Sequence, residues 1–281
     1  MKPISELEAS AAADLKYILC DIDDTITNKG KLTKEAYDAI WRLHDAGLFV
    51  IPVTGRPAGW CDLIVREWPV KAVVGENGAF VCYSDGGVFQ TFPYPGLAPA
   101  SVRRKLSSVK DACLKQVPGC RIAGDQPYRR YDLAIDFNED APHLGLDAAK
   151  KIRDIAVSMG AEAKISSIHV NIWFGDYDKL RMTKLFLREV LGEKELRRRV
   201  FFFGDSPNDE PMFSCFQNSC GVSNLTPFLD LLRYRPGYLA SREGGYGFAE
   251  GAERILALRG VPSESPRAVL PETYKHGKIK V

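Results

Sequence analysis

Long hydrophobic runs, cysteine pairs and an excess of one charge are all missing from this sequence. No stretch reaches the roughly 20 apolar residues that a membrane-spanning helix needs, so no membrane partner is expected. Residues 1–16 carry acidic side chains and have no apolar centre, which argues against a secretory signal. We therefore expect a cytoplasmic protein.

Cysteine is present, but not in a pairing pattern. The chain has seven cysteines, an odd number, and none forms a Cys-x-x-Cys pair. This argues against a disulfide framework and against a structural zinc site. Cys20, Cys61 and Cys82 lie among apolar residues and are predicted to be small buried hydrophobic side chains.

Charge is nearly balanced, with 38 Lys and Arg against 36 Asp and Glu and a formal net charge of +2. There is no basic stripe or interleaved aromatic platform, so no nucleic-acid partner is expected. The balance is compatible with a phosphorylated substrate without arguing for one. At 281 residues the chain can form one large domain or two modest ones, and its oligomeric state does not follow from these quantities.

Short apolar runs alternate with helical stretches at the start of the chain. Tyr17–Cys20, residues 48–53 and residues 71–74 are continuous apolar runs, which are typical of strands buried on both faces of a parallel sheet. Between the first two, Thr33 is a candidate N-cap for a helix that Gly47 would close. Strand–helix alternation predicts an α/β fold with right-handed crossovers.

The pattern changes between about residues 81 and 174. Predicted strands are longer and alternate polar with apolar residues, as in 131–137 and His169–Trp173, which indicates an antiparallel sheet with one buried and one wet face. Helical stretches at 100–113 and 146–159 are predicted to cover the buried face. This part of the chain is predicted to be a second, α+β domain.

The α/β pattern then resumes with a predicted helix at 179–191, a buried strand at 200–203 and a last helix at 251–258. Gly244, Gly245 and Gly247 are predicted to form a turn before that helix. The fold class is therefore α/β, a doubly wound parallel-sheet (Rossmann-like) core with an inserted α+β cap. The predicted parts are core 1–83, cap 84–176, core 177–260 and a C-terminal tail, 261–281.

Polar clusters follow three of the buried runs. Asp21 and Asp23 follow the first, Thr54 the second, and Asp205 and Asp209 follow the strand at 200–203. We expect these side chains to converge, because ligands of open α/β sheets bind outside the carboxyl ends of the strands. Clustered carboxylates repel one another unless a cation neutralises them, and oxygen ligands favour Mg²⁺ over zinc. A carboxylate nucleophile beside Mg²⁺ suits phosphoryl transfer.

These motifs resemble those of the haloacid dehalogenase-like phosphatase superfamily. The matching segments are 21–25, 53–56, 75–79 and 204–212, and the resemblance spans residues 17–258. The last three segments are similar to the branch with a large α/β (type IIB) cap, which includes sucrose-phosphate, mannosylphosphoglycerate and hexose-phosphate phosphatases. The resemblance implies a Mg²⁺-dependent enzyme that acts on a small phosphorylated metabolite.

The resemblance also implies catalytic roles. Asp21 would be the nucleophile. Asp23 would protonate the leaving alcohol and then activate the hydrolytic water, and Thr54 would hydrogen-bond the transferring phosphoryl group. Lys179 is favoured as the phosphate-binding lysine, although the glycine that commonly follows it in this branch is missing. Lys184 is the alternative, and it lies inside the predicted helix.

Metal ligands are implied in the same way. Asp205 would bind Mg²⁺ directly, and Asp209 would do so directly or through water. Asp21 would contribute its carboxylate and Asp23 its backbone carbonyl. Ser206 in the same loop, with Asn208, would contact phosphate or the metal shell.

Substrate-binding candidates come from the core loops and from the cap. They are Arg56, Glu76, Asn77, Asn208, Arg129 and Asn171. All but Asn208 have an alternative: Glu76 and Asn77 could be only a tight turn, and Arg56 could be a surface side chain or a bridge between core and cap. Cap residues such as Arg129, Arg130, Asp132, His169 and Asn171 could equally lie on a solvated face.

The predicted function is Mg²⁺-dependent hydrolysis of a phosphomonoester, with a sugar phosphate as first candidate, through an aspartyl-phosphate intermediate. A phosphotransferase or phosphomutase using the same aspartate is one alternative. A non-catalytic protein that binds a phosphometabolite is another.

Overall fold

The computed structural model describes residues 1–166 and 168–262. Its strands are β1 (Lys2–Pro3), β2 (Tyr17–Cys20), β3 (Thr27–Asn28), β4 (Lys31–Leu32), β5 (Phe49–Pro52), β6 (Ala72–Gly75), β7 (Phe80–Asp85), β8 (Val88–Pro93), β9 (Arg121–Ile122), β10 (Asp132–Asp136), β11 (Glu162–Ile165), β12 (His169–Trp173), β13 (Val200–Gly204), β14 (Ser219–Gly221) and β15 (Tyr238–Leu239). Its helices are α1 (Ala9–Ala13), α2 (Lys34–Asp45), α3 (Ala58–Glu67), α4 (Pro99–Gln116), α5 (Gly145–Ser158), α6 (Lys179–Glu189), α7 (Leu196–Arg199), α8 (Glu210–Cys215) and α9 (Gly244–Leu258). Apart from residues 261 and 262, the predicted tail lies outside the described residues.

The central sheet is parallel, with strand order β1-β15-β14-β13-β2-β5 within the described chain. A parallel bridge between Val53 and Val74 connects its last strand to β6. In β2, Ile18 and Cys20 belong to one apolar cluster and Tyr17 and Leu19 to the other. The sheet is therefore buried on both faces, and the predicted doubly wound α/β core is confirmed.

Local signals that define helix ends are also confirmed. The Thr33 hydroxyl accepts a hydrogen bond from the Ala36 N–H at 3.1 Å and so caps α2. Gly47, with φ of 78°, follows the helix in the left-handed region that glycine adopts without strain. Cys20, Cys61 and Cys82 are buried free thiols, as expected.

The last helix begins earlier than predicted. Gly244, Gly245 and Gly247 lie inside α9, not in a turn before it. A Cβ at Gly245 would lie 2.4 Å from the Thr33 hydroxyl, and one at Gly247 would lie 2.2 Å from the Arg242 carbonyl oxygen. These glycines therefore allow close packing of the first helical turn against neighbouring segments, which outweighs their low helix propensity.

Two antiparallel sheets follow the first part of the core. Strands β6, β7 and β8 form one, which begins in the core and enters the inserted part, and the sheet of order β11-β12-β10-β9, inside the inserted part, forms the other. Helices α4 and α5 pack on the latter through an apolar cluster that includes Val109, Ile152 and Ile172. We keep the name cap for residues 84–176 as a proposal, and its first boundary falls within β7.

The prediction that one face of strands β10 and β12 contacts water is wrong. Every residue of β10 and β12 is buried, including Asp132, His169 and Asn171. The polar face meets core loops instead of water, as shown by the Asn77 Nδ2–H that donates to Asp132 Oδ2 at 3.4 Å. Alternation identified the antiparallel sheet correctly, but the second face is covered by the core.

None of the helices in the described ranges has both the length and the apolar composition required to cross a membrane.

Candidate active site

Two adjacent parallel strands place the candidate carboxylates side by side. Strands β2 and β13 pair in register, with Cys20 opposite Phe203, and the Asp21 N–H donates to the Phe203 carbonyl at 3.0 Å. Asp21 and Asp205 follow directly after the two strands. The convergence expected from the strand order is therefore a consequence of this pairing.

A buried carboxylate cluster results. Asp21, Asp205 and Asp209 each offer an oxygen, and these oxygens lie within 4.8 Å of one another. The Thr25 hydroxyl donates to Asp205 Oδ1 at 2.9 Å, and the Asp205 N–H donates to Asp209 Oδ2 at 3.2 Å. The turn Pro207–Asp209 carries Asp209 back towards the strand end.

The ammonium group of Lys179 lies within this cluster. Its Nζ is 2.9 Å from Asp21 Oδ2 and 3.1 Å from Asp209 Oδ1. Lys179 is the first residue of α6, which Asp178 caps by accepting the Arg181 N–H at 2.7 Å. Among the described residues Lys184 forms no ion pair, because it lies further along the helix.

Burial and mutual repulsion dominate the electrostatics. Burial raises the pKa of Asp21 to about 7, Lys179 opposes this rise, and Asp209 adds to it. Burial, Asp209 and Asp21 together raise the pKa of Asp205 well above its usual range. Burial alone would lower the pKa of Lys179, but Asp209 and Asp21 raise it above its ordinary value.

The donor set fits a hard divalent cation. Three carboxyl groups face one ammonium, so ionisation of all three leaves negative charge in excess, and oxygen donors are those that Mg²⁺ prefers. A bound cation would favour the ionised carboxylates that burial disfavours.

The carboxylate of Asp23 pairs with Arg56 and is not part of the cluster. Its carboxylate receives two N–H groups of Arg56, from Nε at 3.0 Å and from Nη2 at 2.7 Å. Of the four predicted metal residues, the structure thus brings together the carboxylates of Asp21, Asp205 and Asp209. This leaves Asp23 only its backbone carbonyl for the implied metal role.

Thr54 lies at the end of the neighbouring strand. It is buried, and its hydroxyl accepts the Arg56 N–H at 3.0 Å. Its backbone is held on both sides, because its N–H donates to the Val74 carbonyl and its carbonyl accepts the Asn77 N–H. The hydroxyl hydrogen stays available for another acceptor.

Glu76 connects the core to the cap. Its carboxylate accepts N–H groups from Ala58 at 3.1 Å in the core, and from Arg130 at 2.8 Å, Tyr131 at 2.5 Å and Asp132 at 3.1 Å in the cap. Its φ of 43° places it in the left-handed region, which is strained for a non-glycine residue. All these partners are backbone groups, so the carboxylate acts as an anchor between the two parts.

Arg129 and Asn171 also lie where the cap meets the core. Buried Arg129 pairs with Asp125 at 2.9 Å and with Asp132 at 3.0 Å. A Cβ on Gly55 would lie 2.9 Å from Asn171 Nδ2, so the core loop at Gly55 and strand β12 of the cap approach closely. The Asn171 Oδ1 is buried and has no hydrogen-bond partner among the described residues.

A cavity of about 220 Å³ opens beside Lys179, between core and cap. Asn77 and Asn208 line it, as predicted for substrate contacts, whereas Arg56, Glu76, Arg129 and Asn171 do not. Further lining residues that sequence reasoning missed are Glu162, Lys164, Asp176, Asp178 and Arg181. Glu162 and Lys164 alternate on β11, and this i, i+2 spacing was the available signal.

Sequence comparison finds a known family in the first part of the chain. The model for haloacid dehalogenase-like hydrolases matches residues 18–93. A phosphoglycolate phosphatase of Pyrobaculum aerophilum is 27% identical over 246 residues, which cover 86% of this chain and 96% of that protein.

Solved structures extend the likeness to the fold of nearly the whole chain. The C-terminal domain of trehalose-6-phosphate phosphatase from C. albicans has a TM-score of 0.68 at 14% identity, covering 93% of this chain and 99% of that one. The sucrose-phosphatase of Synechocystis, solved with sucrose and phosphate, has a TM-score of 0.59 at 13% identity, covering 85% of this chain and 97% of that one. At these identities the likeness concerns the fold alone.

Proposed function

We propose that this chain is a haloacid dehalogenase-like phosphatase and that it hydrolyses a small phosphomonoester with Mg²⁺ through an aspartyl-phosphate. One observation carries the proposal: the Lys179 ammonium lies 2.9 Å from Asp21 and 3.1 Å from Asp209, inside a buried carboxylate cluster. A nucleophile, a cation that can hold phosphate oxygens and a set of metal-type oxygens thus share one site.

In the first step, an oxygen of Asp21 forms a bond to phosphorus while the bond between phosphorus and the leaving oxygen breaks. Asp23 donates a proton to that oxygen, so the product leaves as a neutral alcohol. Lys179 and the hydroxyl of Thr54 hold the oxygens of the transferring group. The phosphoryl group is then carried by Asp21.

In the second step, water attacks phosphorus and its proton passes to Asp23. The bond between phosphorus and Asp21 breaks, which releases inorganic phosphate and restores the starting carboxylate and acid. Both steps use Asp21 and Asp23, so a defect in either of them affects the whole cycle.

Mg²⁺ would be held by Asp21, Asp205 and Asp209, and the backbone carbonyl of Asp23 completes the proposed ligands. When bound, the ion neutralises charge on the phosphoryl oxygens and orients them for in-line attack. The excess of carboxylate over ammonium in the cluster supports this assignment.

A sugar phosphate is the first substrate candidate. The cavity beside Lys179 is lined by Asn77, Glu162, Lys164 and Asn208, which offer both donors and acceptors to hydroxyl groups. Phosphoglycolate, on which the Pyrobaculum relative is named as acting, is the second candidate. Its carboxylate would meet the acid Glu162 but also the bases Lys164 and Arg181, so the lining charges do not exclude it.

The test is release of phosphate from hexose, disaccharide and polyol phosphates and from phosphoglycolate, with and without Mg²⁺. We expect Mg²⁺-dependent release that falls about 10³-fold or more in Asp21→Asn and about 10²-fold or more in Lys179→Met. Lys184→Met is the matched control and should retain activity.

Turnover by Asp21→Asn at the wild-type rate would contradict the mechanism. Rearranged phosphate without free phosphate would instead indicate a phosphomutase. No release from any compound with Mg²⁺ present would contradict the proposed activity.

A further inference from the structure

Basic side chains are concentrated on the two helices of the cap, α4 and α5. Together these helices carry eight Lys and Arg against three Asp. The whole chain has 38 Lys and Arg against 36 Asp and Glu, so its other residues have 30 against 33. The two helices therefore have a net charge of +5, whereas the rest of the chain has −3.

Most of this positive charge is not neutralised by neighbouring acids. The three acids pair with bases of their own helix, as Asp111 with Lys110, Asp147 with Lys150 and Asp154 with Arg153. The other five bases are exposed and, within residues 1–166 and 168–262, form no ion pair: Arg103, Arg104, Lys105, Lys115 and Lys151. Their charge is therefore available to an anionic partner.

The two helices form the outer layer of the cap. In α4, Leu106 and Val109 are buried in the apolar cluster that joins both helices to the cap sheet. Arg104 and Lys115 lie eleven residues, or about three helical turns, apart, so they share the opposite, exposed side of α4. The other face of the sheet meets the core, so this basic surface lies on the far side of the cap from the cavity beside Lys179.

Exposed aliphatic side chains lie on the same layer as these bases. Leu146 and Val157 of α5 are 61% and 54% exposed, so over half of each residue contacts solvent. A groove of about 430 Å³ is lined by Lys105 and Ser108 of α4 and by Met159, the residue that follows α5. Basic and apolar groups are thus mixed on one surface of the cap.

We propose that the outer face of the cap, formed by α4 and α5, binds the surface of a bilayer that contains anionic phospholipids. Such a surface attracts Lys and Arg, and its interface accepts aliphatic side chains, so both features of the face take part. The groove suits a phosphate-bearing headgroup, because it combines the cation of Lys105 and the hydroxyl of Ser108 with the apolar side chain of Met159.

This contact is peripheral. The sequence argued against a membrane partner only through its lack of a spanning run, and a protein that lies on a bilayer needs none. A nucleic acid would meet the same bases but would leave Leu146 and Val157 without a partner, which is why a bilayer is favoured. The cavity beside Lys179 stays accessible in the bound protein, so the inference does not depend on the proposed function.

The test is sedimentation of the full chain with vesicles of phosphatidylcholine alone and of phosphatidylcholine mixed with phosphatidylserine. We expect binding to the mixed vesicles only, and weaker binding as salt is added. The triple variant Arg104→Gln, Lys115→Gln, Lys151→Gln should lower the partition coefficient about 10²-fold, because each base near an anionic surface contributes about fivefold. The matched control removes three exposed bases of the core and should change this coefficient less than about twofold; it combines Arg188→Gln, Lys194→Gln and Arg197→Gln.

A second variant tests the apolar part of the face. Leu146→Ser with Val157→Ser keeps the charge, and we expect it to lower the partition coefficient about fivefold or more without changing the salt dependence. All the substituted side chains are exposed, so every variant should fold and should keep the wild-type kcat for a soluble phosphate ester.

No sedimentation with the mixed vesicles at low salt, equal binding to both kinds of vesicle, or equal losses in the core variant would overturn the inference. Binding that Leu146→Ser and Val157→Ser leave unchanged would overturn it as well, and retention of duplex DNA at the same salt would then assign the face to nucleic acid. Vesicle binding requires no turnover, so these outcomes are independent of whether the chain hydrolyses phosphomonoesters.

Discussion

Glu76 offers the sharpest test of how the cap is joined to the core. Its buried carboxylate accepts four backbone N–H groups, one from Ala58 and three from residues 130–132. Glu76→Ala removes every one of these acceptors. A buried donor left unpaired costs about 1–3 kcal/mol, and water entering the space left by the side chain would satisfy part of the set. We therefore expect a loss of about 3–5 kcal/mol in the free energy of unfolding.

Glu76→Gln keeps the size and shape of the side chain but removes the carboxylate, so it tests the contribution of the carboxylate alone. The amide keeps one acceptor oxygen, but its NH₂ group faces N–H donors that it cannot accept. We expect a loss of about 2 kcal/mol, smaller than that of Glu76→Ala. Both values are measured by urea or guanidinium unfolding at neutral pH, with Glu67→Gln, an exposed side chain at the end of α3, as control.

An effect below about 0.5 kcal/mol for Glu76→Ala would refute this reasoning, because surface substitutions have effects of that size. It would mean that the four N–H groups find other partners once the carboxylate is gone.

Three further outcomes are expected. Mg²⁺ at a hundredfold excess over its Kd should stabilise the protein by about 2.7 kcal/mol in thermal unfolding, and Asp205→Asn should abolish this shift. Thr25→Val removes the hydroxyl that donates to Asp205, so the Mg²⁺ affinity measured by calorimetric titration should fall about 10-fold or more. Gly55→Ala places a methyl group 2.9 Å from Asn171 Nδ2. We expect the free energy of unfolding to fall by about 1–3 kcal/mol and kcat to fall as well. The control, Gly124→Ala, has open space around the added methyl group and should have little effect on either quantity. Unchanged Mg²⁺ stabilisation in Asp205→Asn, unchanged affinity in Thr25→Val or full activity in Gly55→Ala would contradict these respective expectations.

The parallel core was predictable because its signals are local. Tyr17–Cys20 has no polar residue, and a strand of this kind must be covered on both faces. Once β2 and β13 are taken as neighbours, the residues that follow them, Asp21 and Asp205, have to meet. Fold class and carboxylate cluster therefore follow from short segments and from one rule about sheet edges.

The surface between cap and core was not predictable in the same way. Alternation in β10 and β12 has the same form whether the polar face contacts water or another set of polar groups. The pairing of Arg56 with Asp23 joins residues 33 positions apart through side chains alone, and no periodicity reports it. The glycines at the start of α9 were wrongly predicted to form a turn. Their low helix propensity is a local signal that the sequence shows, whereas the close packing that requires them is a property of the tertiary structure.

Identification of the phosphorylated residue tests the central claim most directly. Turnover of the preferred ester with Mg²⁺ is stopped with borohydride, which reduces an aspartyl phosphate to homoserine, and the peptides are analysed by mass spectrometry. We predict homoserine at position 21 in the wild type and none in Asp21→Asn. Rapid release of phosphate with homoserine at another position, such as 205, would contradict the assignment of Asp21 as the nucleophile.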